Sequence, residues 1–203
     1  LMSALLESFA AAFEALAARD AAGLGENRRQ ALDNALHDGL PGPRSEAWKY
    51  TSLRALERRG FVAAPPEPSV DADALAVVLE AIPAPRMVFV DGRFDDDASL
   101  LDGLPEGLEV LPLSRVLREG TPRDANVLQR RYAGADEVFA VANAALAEEG
   151  VVIRADRDTA TTLHLVFVAS ATAGDAGVHL RHLVDLRNDA SLALVEHHLA
   201  LGE

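Results

Sequence analysis

The sequence contains no cysteine, which excludes a disulfide framework and leaves the chain without thiolates for zinc or for an iron-sulfur cluster. Lys49 is its sole lysine and follows no glycine-rich loop, so a P-loop that cradles phosphate is excluded. "GLG" at residues 23–25 lacks the third glycine and the strand-to-helix turn of a dinucleotide site. A Gly-x-Ser-x-Gly elbow and a His-Glu-x-x-His zinc helix are also missing. Aromatic residues make up 5% of the chain, with one tryptophan and two tyrosines, so large packing side chains are few. No uninterrupted apolar run is long enough to span a bilayer, and the alanine-rich start carries glutamates in place of a basic leader. A cytoplasmic chain with no membrane partner is the expectation.

What is present is a chain of 203 residues with 49% hydrophobic content, enough for a packed core. Its formal charge of -13 argues against a nucleic-acid partner, because phosphate binding needs clustered lysine and arginine. The acidic run Asp95, Asp96 and Asp97 lacks the alternating oxygen-ligand spacing of a calcium loop and is expected to be a solvated turn.

Leu5, Leu6, Phe9, Phe13 and Leu16 recur at three- and four-residue spacing, which predicts an amphipathic opening helix capped by Ser3. A second helix is expected over "ENRRQALDNALHDG", with Ala31, Leu32, Ala35 and Leu36 inward and Gly39 as its stop. A proline-rich linker follows Phe61, then a short helix beginning after Ser69 or Asp71 and stopping at Pro83. "RMVFVDGRF" predicts a hairpin turning at Asp91-Gly92. "LEVLPL" reads as a strand, Ser114 as the cap of a brief helix ending near Gly120, and "ADEVFAVANAALAEEG" as a helix closed by Gly150. From Val151 the pattern turns to strands: "VVIRA", "TTLHLVFVAS", "VHLRHLVDL" and "ASLALVEHHLAL". In the third of these, Val178, Leu180, His182, Val184 and Leu186 alternate with more polar residues, predicting one better-buried face. Pattern alone leaves an antiparallel meander and the coils of a β-helix both open, and no strict repeat decides between them.

Histidine is the remaining chemical candidate. His197 and His198 are neighbours on a predicted strand and point to opposite faces, as do His179 and His182, so no local pair can chelate an ion. Glu196 and His198 can share a face and could meet a ligand only from another rung or chain; Glu196, His197 and His198 are therefore interface candidates. Trp48, Lys49 and Tyr50 suit either a stacking platform or, more simply, packing by Trp48, Leu53 and Leu56 while Lys49, Arg54, Arg58 and Arg59 stay solvated.

Several ordered blocks carry a family resemblance. "GLPGPRSEAWKYTSLRAL" resembles the Leu-Pro-x-x-(Arg/Lys)-x-Glu-x-Trp-(Lys/Arg)-Tyr-Thr-x-Leu segment of the SufB/SufD family, subunits of the bacterial Suf iron-sulfur cluster assembly complex. "RMVFVDGRF", "VFAVANAALAEEGVVIRA", "LHLVFV" and "RHLVDLRNDASLALVEHHLA" are similar to later blocks of the same family, in order. The resemblance marks Trp48, Lys49, Tyr50, Thr51, Leu53, Gly92 and Phe94 as structural motif positions with no chemistry.

It also implies a mixed α and β fold: an N-terminal helical domain, then the first rungs of a right-handed parallel β-helix. Residues 1–85 would form the helical domain and linker, 86–150 an α/β connecting segment, and 151–203 the start of the β-helix. Since Glu203 directly follows an expected strand, the chain is expected to be a truncated portion without the later rungs and final helices. The implied function is a non-catalytic scaffold subunit that pairs with a SufB-like subunit and, through the absent C-terminal helices, with a SufC-like ATPase. An open β-helix edge also allows a homodimer. No cofactor is expected in the chain itself, although the family complex handles iron-sulfur clusters and reduced flavin. The family's cluster-site histidine falls beyond Glu203, so no catalytic residue carries over. Lack of cysteine agrees with a SufD-like role better than a SufB-like one. The alternative is a β-helix enzyme acting on a polysaccharide or acyl substrate through paired carboxylates, with Asp156, Asp158, Asp185, Asp189 and Glu196 as candidates.

Overall fold

The computed structural model describes residues 2–120 and 137–202. Backbone packing divides the chain into two units, one of residues 1–63 and 116–148 and the other of residues 64–115 and 149–203.

The first unit is helical. Helix α1 (Ala4–Ala15) starts where Ser3 Oγ accepts the Leu6 N–H at 3.4 Å, which satisfies one of the orphan donors of a helix N-terminus. Helix α2 (Gly25–Asp38) ends at Gly39, whose φ of 70° no ordinary side chain adopts comfortably. After the short α3 (Arg54–Glu57) the unit is completed by a late helix, Val138–Leu146. Leu5, Leu6, Phe9 and Phe13 pack with Leu32 and with Ala142, Ala145 and Leu146 of that late helix. Alanine on the late helix lets the three backbones approach closely, which is how a chain poor in aromatics still closes a core. The buried Arg28 reaches across to donate from Nη1 to the Ala145 carbonyl at 3.2 Å, placing a cation at the negative end of the helix dipole. The late helix closes at Ala147 rather than at Gly150, and residues 135 and 136 of its expected start lie outside the described residues.

The second unit is built from two sheets and a helix. After β1 (Val62–Ala63) in the first unit, helix α4 (Ala72–Leu79) begins at Asp71, whose carboxylate accepts the Asp73 and Ala74 N–H groups at 2.9 and 3.0 Å. Strands β2 (Arg86–Val90) and β3 (Arg93–Leu100) form the expected hairpin. Its turn places Asp91 and Gly92 at φ 46° and 78°, the left-handed pair that suits the twist of a two-residue connection. Asp95, Asp96 and Asp97 lie within β3 rather than in a separate turn. The strand bulges there: Val88 faces Asp95 while Arg86 faces Leu100, and Asp95 accepts the Ala98 N–H at 2.9 Å.

β4 (Leu108–Pro112) leads into α5 (Leu113–Glu119), with Ser114 inside the helix rather than capping it. The buried Glu149 does that work, accepting the Ser114 and Gly150 N–H groups at 3.1 Å each. We number the late helix α6. It is followed by β5 (Val151–Ala155), β6 (Thr162–Ala169), β7 (Ala176–Gly177), β8 (Leu183–Leu186) and β9 (Ala193–Ala200). One sheet runs β3-β2-β6-β9 and the other β4-β5-β8. In each, the hairpin-type pair is antiparallel and the later strands are parallel.

From Glu149 onward the parallel neighbours keep one spacing, Val152 with Leu183, Thr162 with Ala193 and Glu149 with Leu180, a difference of 31 residues, whereas the earlier parallel pair sets Arg86 of β2 beside His164 of β6. Each circuit therefore gives one strand to each sheet. Met87, Phe89, Val110, Ile153, Leu163 and Leu165 are buried in the core shared by the two sheets. The opposite face of the first sheet, Val88, Val90, Val166 and Val168, is covered by Leu75, Leu79 and Ile82. Burial of each such side chain contributes about 1.5–3 kcal/mol. The segment "VHLRHLVDL" is strand only from Leu183. Val184 and Leu186, expected inward, are 43% and 46% exposed, because β8 is an edge with no strand beyond it among the described residues.

Candidate interaction site

The sequence-marked residues fall in two places, each within one unit. In the helical unit, Trp48 ends a 3-10 turn (Glu46–Trp48), and its half-buried ring lies 5.5 Å from Phe139 of α6. Lys49 pairs with Glu46 and its Nζ stands 5.0 Å from the centroid of the Tyr50 ring. Tyr50 itself is 92% exposed. Thr51, Arg54, Arg58 and Arg59 are exposed, and Leu53 and Leu56 half-buried. Every polar group here meets solvent or an ion-pair partner, and no nucleophile and base are brought together.

The second place is the edge formed by β8 and β9. Parallel register sets Phe89, Phe167 and His198 side by side on successive strands, and the hairpin adds Phe94 opposite Phe89. Their rings form one column: Phe94 to Phe89 at 6.3 Å edge-on, Phe89 to Phe167 at 5.5 Å stacked, and Phe167 to His198 at 4.9 Å stacked. Such in-register pairs are the unit of sheet stabilisation. His198 is the column's open end, with 71% of its side chain in solvent and Nε2 3.3 Å from Glu196 Oε2. Gly92, beside the column's hairpin, leaves no room for a side chain: a Cβ would come within 2.4 Å of Val178 Cγ1.

His182 sits 5.4 Å from Phe167. The residue is exposed, and its Nδ1 accepts the Val151 N–H at 3.1 Å in a part-buried hydrogen bond. Desolvation there lowers the imidazole pKa, and Glu196 partly opposes this. His179 is lowered by burial as well. On the opposite face of β9, His197 meets His164 of β6, Nε2 to Nδ1, at 2.9 Å. Burial, then the neighbouring His197, lowers the pKa of His164. Sequence spacing could not find this pair, since its members are 33 residues apart and meet only through the diagonal of the β6/β9 register.

The candidate carboxylates are taken up with neighbouring polar groups or turns. Asp156 lies against Arg157 and Asp185 against Arg187; Asp158 accepts from Ser191, and Glu196 from His198. Asp189 occupies a turn at φ 59°. A hollow of about 250 Å³ lies over Glu109, Arg154, Asp156 and Arg187, where Arg154 and Glu109 pair at 2.8 Å. Among the described residues, no group of three or more histidine, aspartate or glutamate side chains could hold a metal ion, and no helix is long and apolar enough to cross a membrane.

What the edge offers is backbone and apolar surface. The outer N–H and C=O groups of β8 and β9 face no strand among the described residues, and Val184, Leu186, Leu194 and Val195 are each at least 38% exposed. This is the form of a surface that takes another strand.

The tryptophan turn and the Asp-Gly hairpin both fall within a stretch whose sequence matches a known family. The SufBD protein N-terminal region matches residues 2–162, and the chain belongs to this family. It is 31% identical over 180 residues to the iron-sulfur cluster assembly protein SufD of Escherichia coli strain K12, covering 86% of this chain and 39% of that protein. It is 29% identical over 179 residues to the iron-sulfur cluster assembly SufBD family protein slr0076 of a Synechocystis strain, covering 87% of this chain and 39% of that protein. The chain thus spans about two fifths of the length of these relatives.

Proposed function

We propose that the chain acts in iron-sulfur cluster assembly as a non-catalytic, SufD-like scaffold portion that pairs with a SufB-like subunit in a cytoplasmic complex. The observation that carries this reading is the family match over residues 2–162 together with the 31% identity to SufD. The 31-residue spacing of the parallel pairs after Glu149 supports a finer reading, that residues 151–203 begin a parallel β-helix whose coils alternate between the two sheets. In this reading residues 1–85 are the helical domain and linker, and 86–150 the connecting segment. The β8/β9 edge, with Glu196, His197 and His198, is the pairing surface, open either to a SufB-like strand or to a second copy. Trp48, Lys49, Tyr50, Thr51, Leu53, Gly92 and Phe94 hold the fold and do no chemistry, and the SufC-like ATPase is a partner of the longer family protein.

Co-expression of the tagged chain with a SufB-like subunit tests this. The subunit is expected to be retained, and a Leu194→Asp, Val195→Asp variant to lose it while keeping its melting temperature within a few degrees. Incubated alone with ferrous iron and sulfide, the chain is expected to develop no iron-sulfur absorption. Cluster bands from the isolated chain, or no retention of the SufB-like subunit, would overturn the proposal.

A further inference from the structure

The His164–His197 pair lies on the face of β6 and β9 turned away from the core shared by the two sheets, with His197 on the edge strand. The two rings meet nitrogen to nitrogen, with centroids 5.2 Å apart and planes inclined by 31°. At an Nδ1 to Nε2 distance of 2.9 Å only one hydrogen fits between them, so one nitrogen donates and the other presents a lone pair. Both rings are half-buried on the face of β6 and β9 that also carries Val166 and Leu199, and both stand on hydrogen-bonded strands that fix their Cα positions. Arg86, the register partner of His164 on β2, spends its guanidinium on the Ala98, Leu79 and Ile82 carbonyls. These bonds draw its Nε and Nη1 toward β3 and the end of α4.

We propose that His164 and His197 form a two-nitrogen site for a borderline divalent transition ion, which replaces the shared proton. Imidazole nitrogens bind such ions at about 2.0–2.1 Å, so two nitrogens 2.9 Å apart subtend about 90° at the metal. That is the angle of adjacent positions in a square-planar or tetragonal site, the geometry of Cu²⁺ and Ni²⁺, and narrower than zinc's tetrahedron asks. Each ring has only to pivot about its Cβ–Cγ bond to turn its lone pair onto the ion, losing one hydrogen bond. The high affinity of Cu²⁺ for nitrogen ligands ranks it first. Two protein ligands leave the remaining positions to water. The donating ring moves the displaced hydrogen to its other nitrogen, so both ligands stay neutral imidazoles and binding weakens only where acid protonates the rings.

Copper titration of the 203-residue chain, followed by calorimetry and electron paramagnetic resonance, tests the site. One Cu²⁺ with two equatorial nitrogens is expected, with affinity above that for Ni²⁺ and Zn²⁺. Loss of even an outer-shell partner weakens metal sites by about 10–100-fold, so H164Q and H197Q should each weaken binding at least that much. H37Q and H198Q should bind as the parent does. Should either site variant fail to fold, the parent chain decides alone: substoichiometric Cu²⁺ must broaden the ring proton signals of His164 and His197 before those of His37, His179, His182 and His198. Unchanged binding in H164Q and H197Q, a one-nitrogen spectrum, or broadening first at another histidine overturns the proposal.

Discussion

Gly150 shows how one residue can govern the approach of two strands. At φ 148° it lies directly under the next circuit of chain, and a Cβ there would stand 1.9 Å from the Arg181 carbonyl oxygen. Gly150→Ala is therefore expected to cost about 3 kcal/mol, read as a drop in urea midpoint with an unchanged slope. Arg28 is a second case. Its Nη1 bond to Ala145 is buried and charge-assisted, and Arg28→Ala should cost about 1.5–3 kcal/mol on the same scale. Half-buried His179 and exposed His182 set a pH dependence. His179 and His182 titrate below their ordinary value of 6.5 in the folded chain, so the unfolded chain binds more protons in the interval between the two values. Stability is full above about pH 6.5 and falls as the pH drops through the lowered folded values. Melting curves from pH 8 to pH 5 should show the decline, and His182→Gln should flatten it.

At the scale of the element, helices and the hairpin were legible because their signals are local. Ser3, Asp71 and Gly39 do the capping and stopping that their side chains or φ angles allow, and Asp91-Gly92 turns where that dipeptide should. The cap of α5 was illegible: Ser114 has the right chemistry, but Glu149, 35 residues on, reaches the N–H first. The strand "VHLRHLVDL" has the alternation of a half-buried strand, yet alternation says only that two faces differ and not whether anything covers one. β8 and β9 keep their apolar residues in solvent as a result. Val184→Lys with Leu186→Lys should leave the melting temperature within a few degrees, since little burial is lost, and should reduce self-association in sedimentation at high concentration.

For the molecule as a whole, the motif blocks were enough to place the chain in its family, while the stacking was not readable. Paired positions such as Val152 and Leu183, Ile153 and Val184, or Arg154 and Asp185 need only compatible shape and charge across a parallel ladder, so the circuits repeat in space without repeating in letters. The histidine pair and the aromatic column follow from the same stacking and share its invisibility. Two compact units also predict two responses to denaturant: hydrogen exchange should report separate protection for the α1, α2 and α6 amides and for those of β2, β5 and β6.

The equal strides have a consequence for length variation. The corners joining β5 to β6 and β8 to β9 occupy 156–161 and 187–192, and they lie against one another through Thr159 N–H to the Ser191 carbonyl at 3.2 Å and Asn188 Nδ2 to the Asp156 carbonyl at 3.4 Å. A single-residue deletion in the second corner would invert β9, sending Glu196 and His198 to the helix-covered side and His197 inward. Gain or loss of one whole 31-residue stride leaves the orientation of the later strands intact, so from Glu149 onward the two sheets can each gain or lose a strand by duplication or deletion of a complete stride.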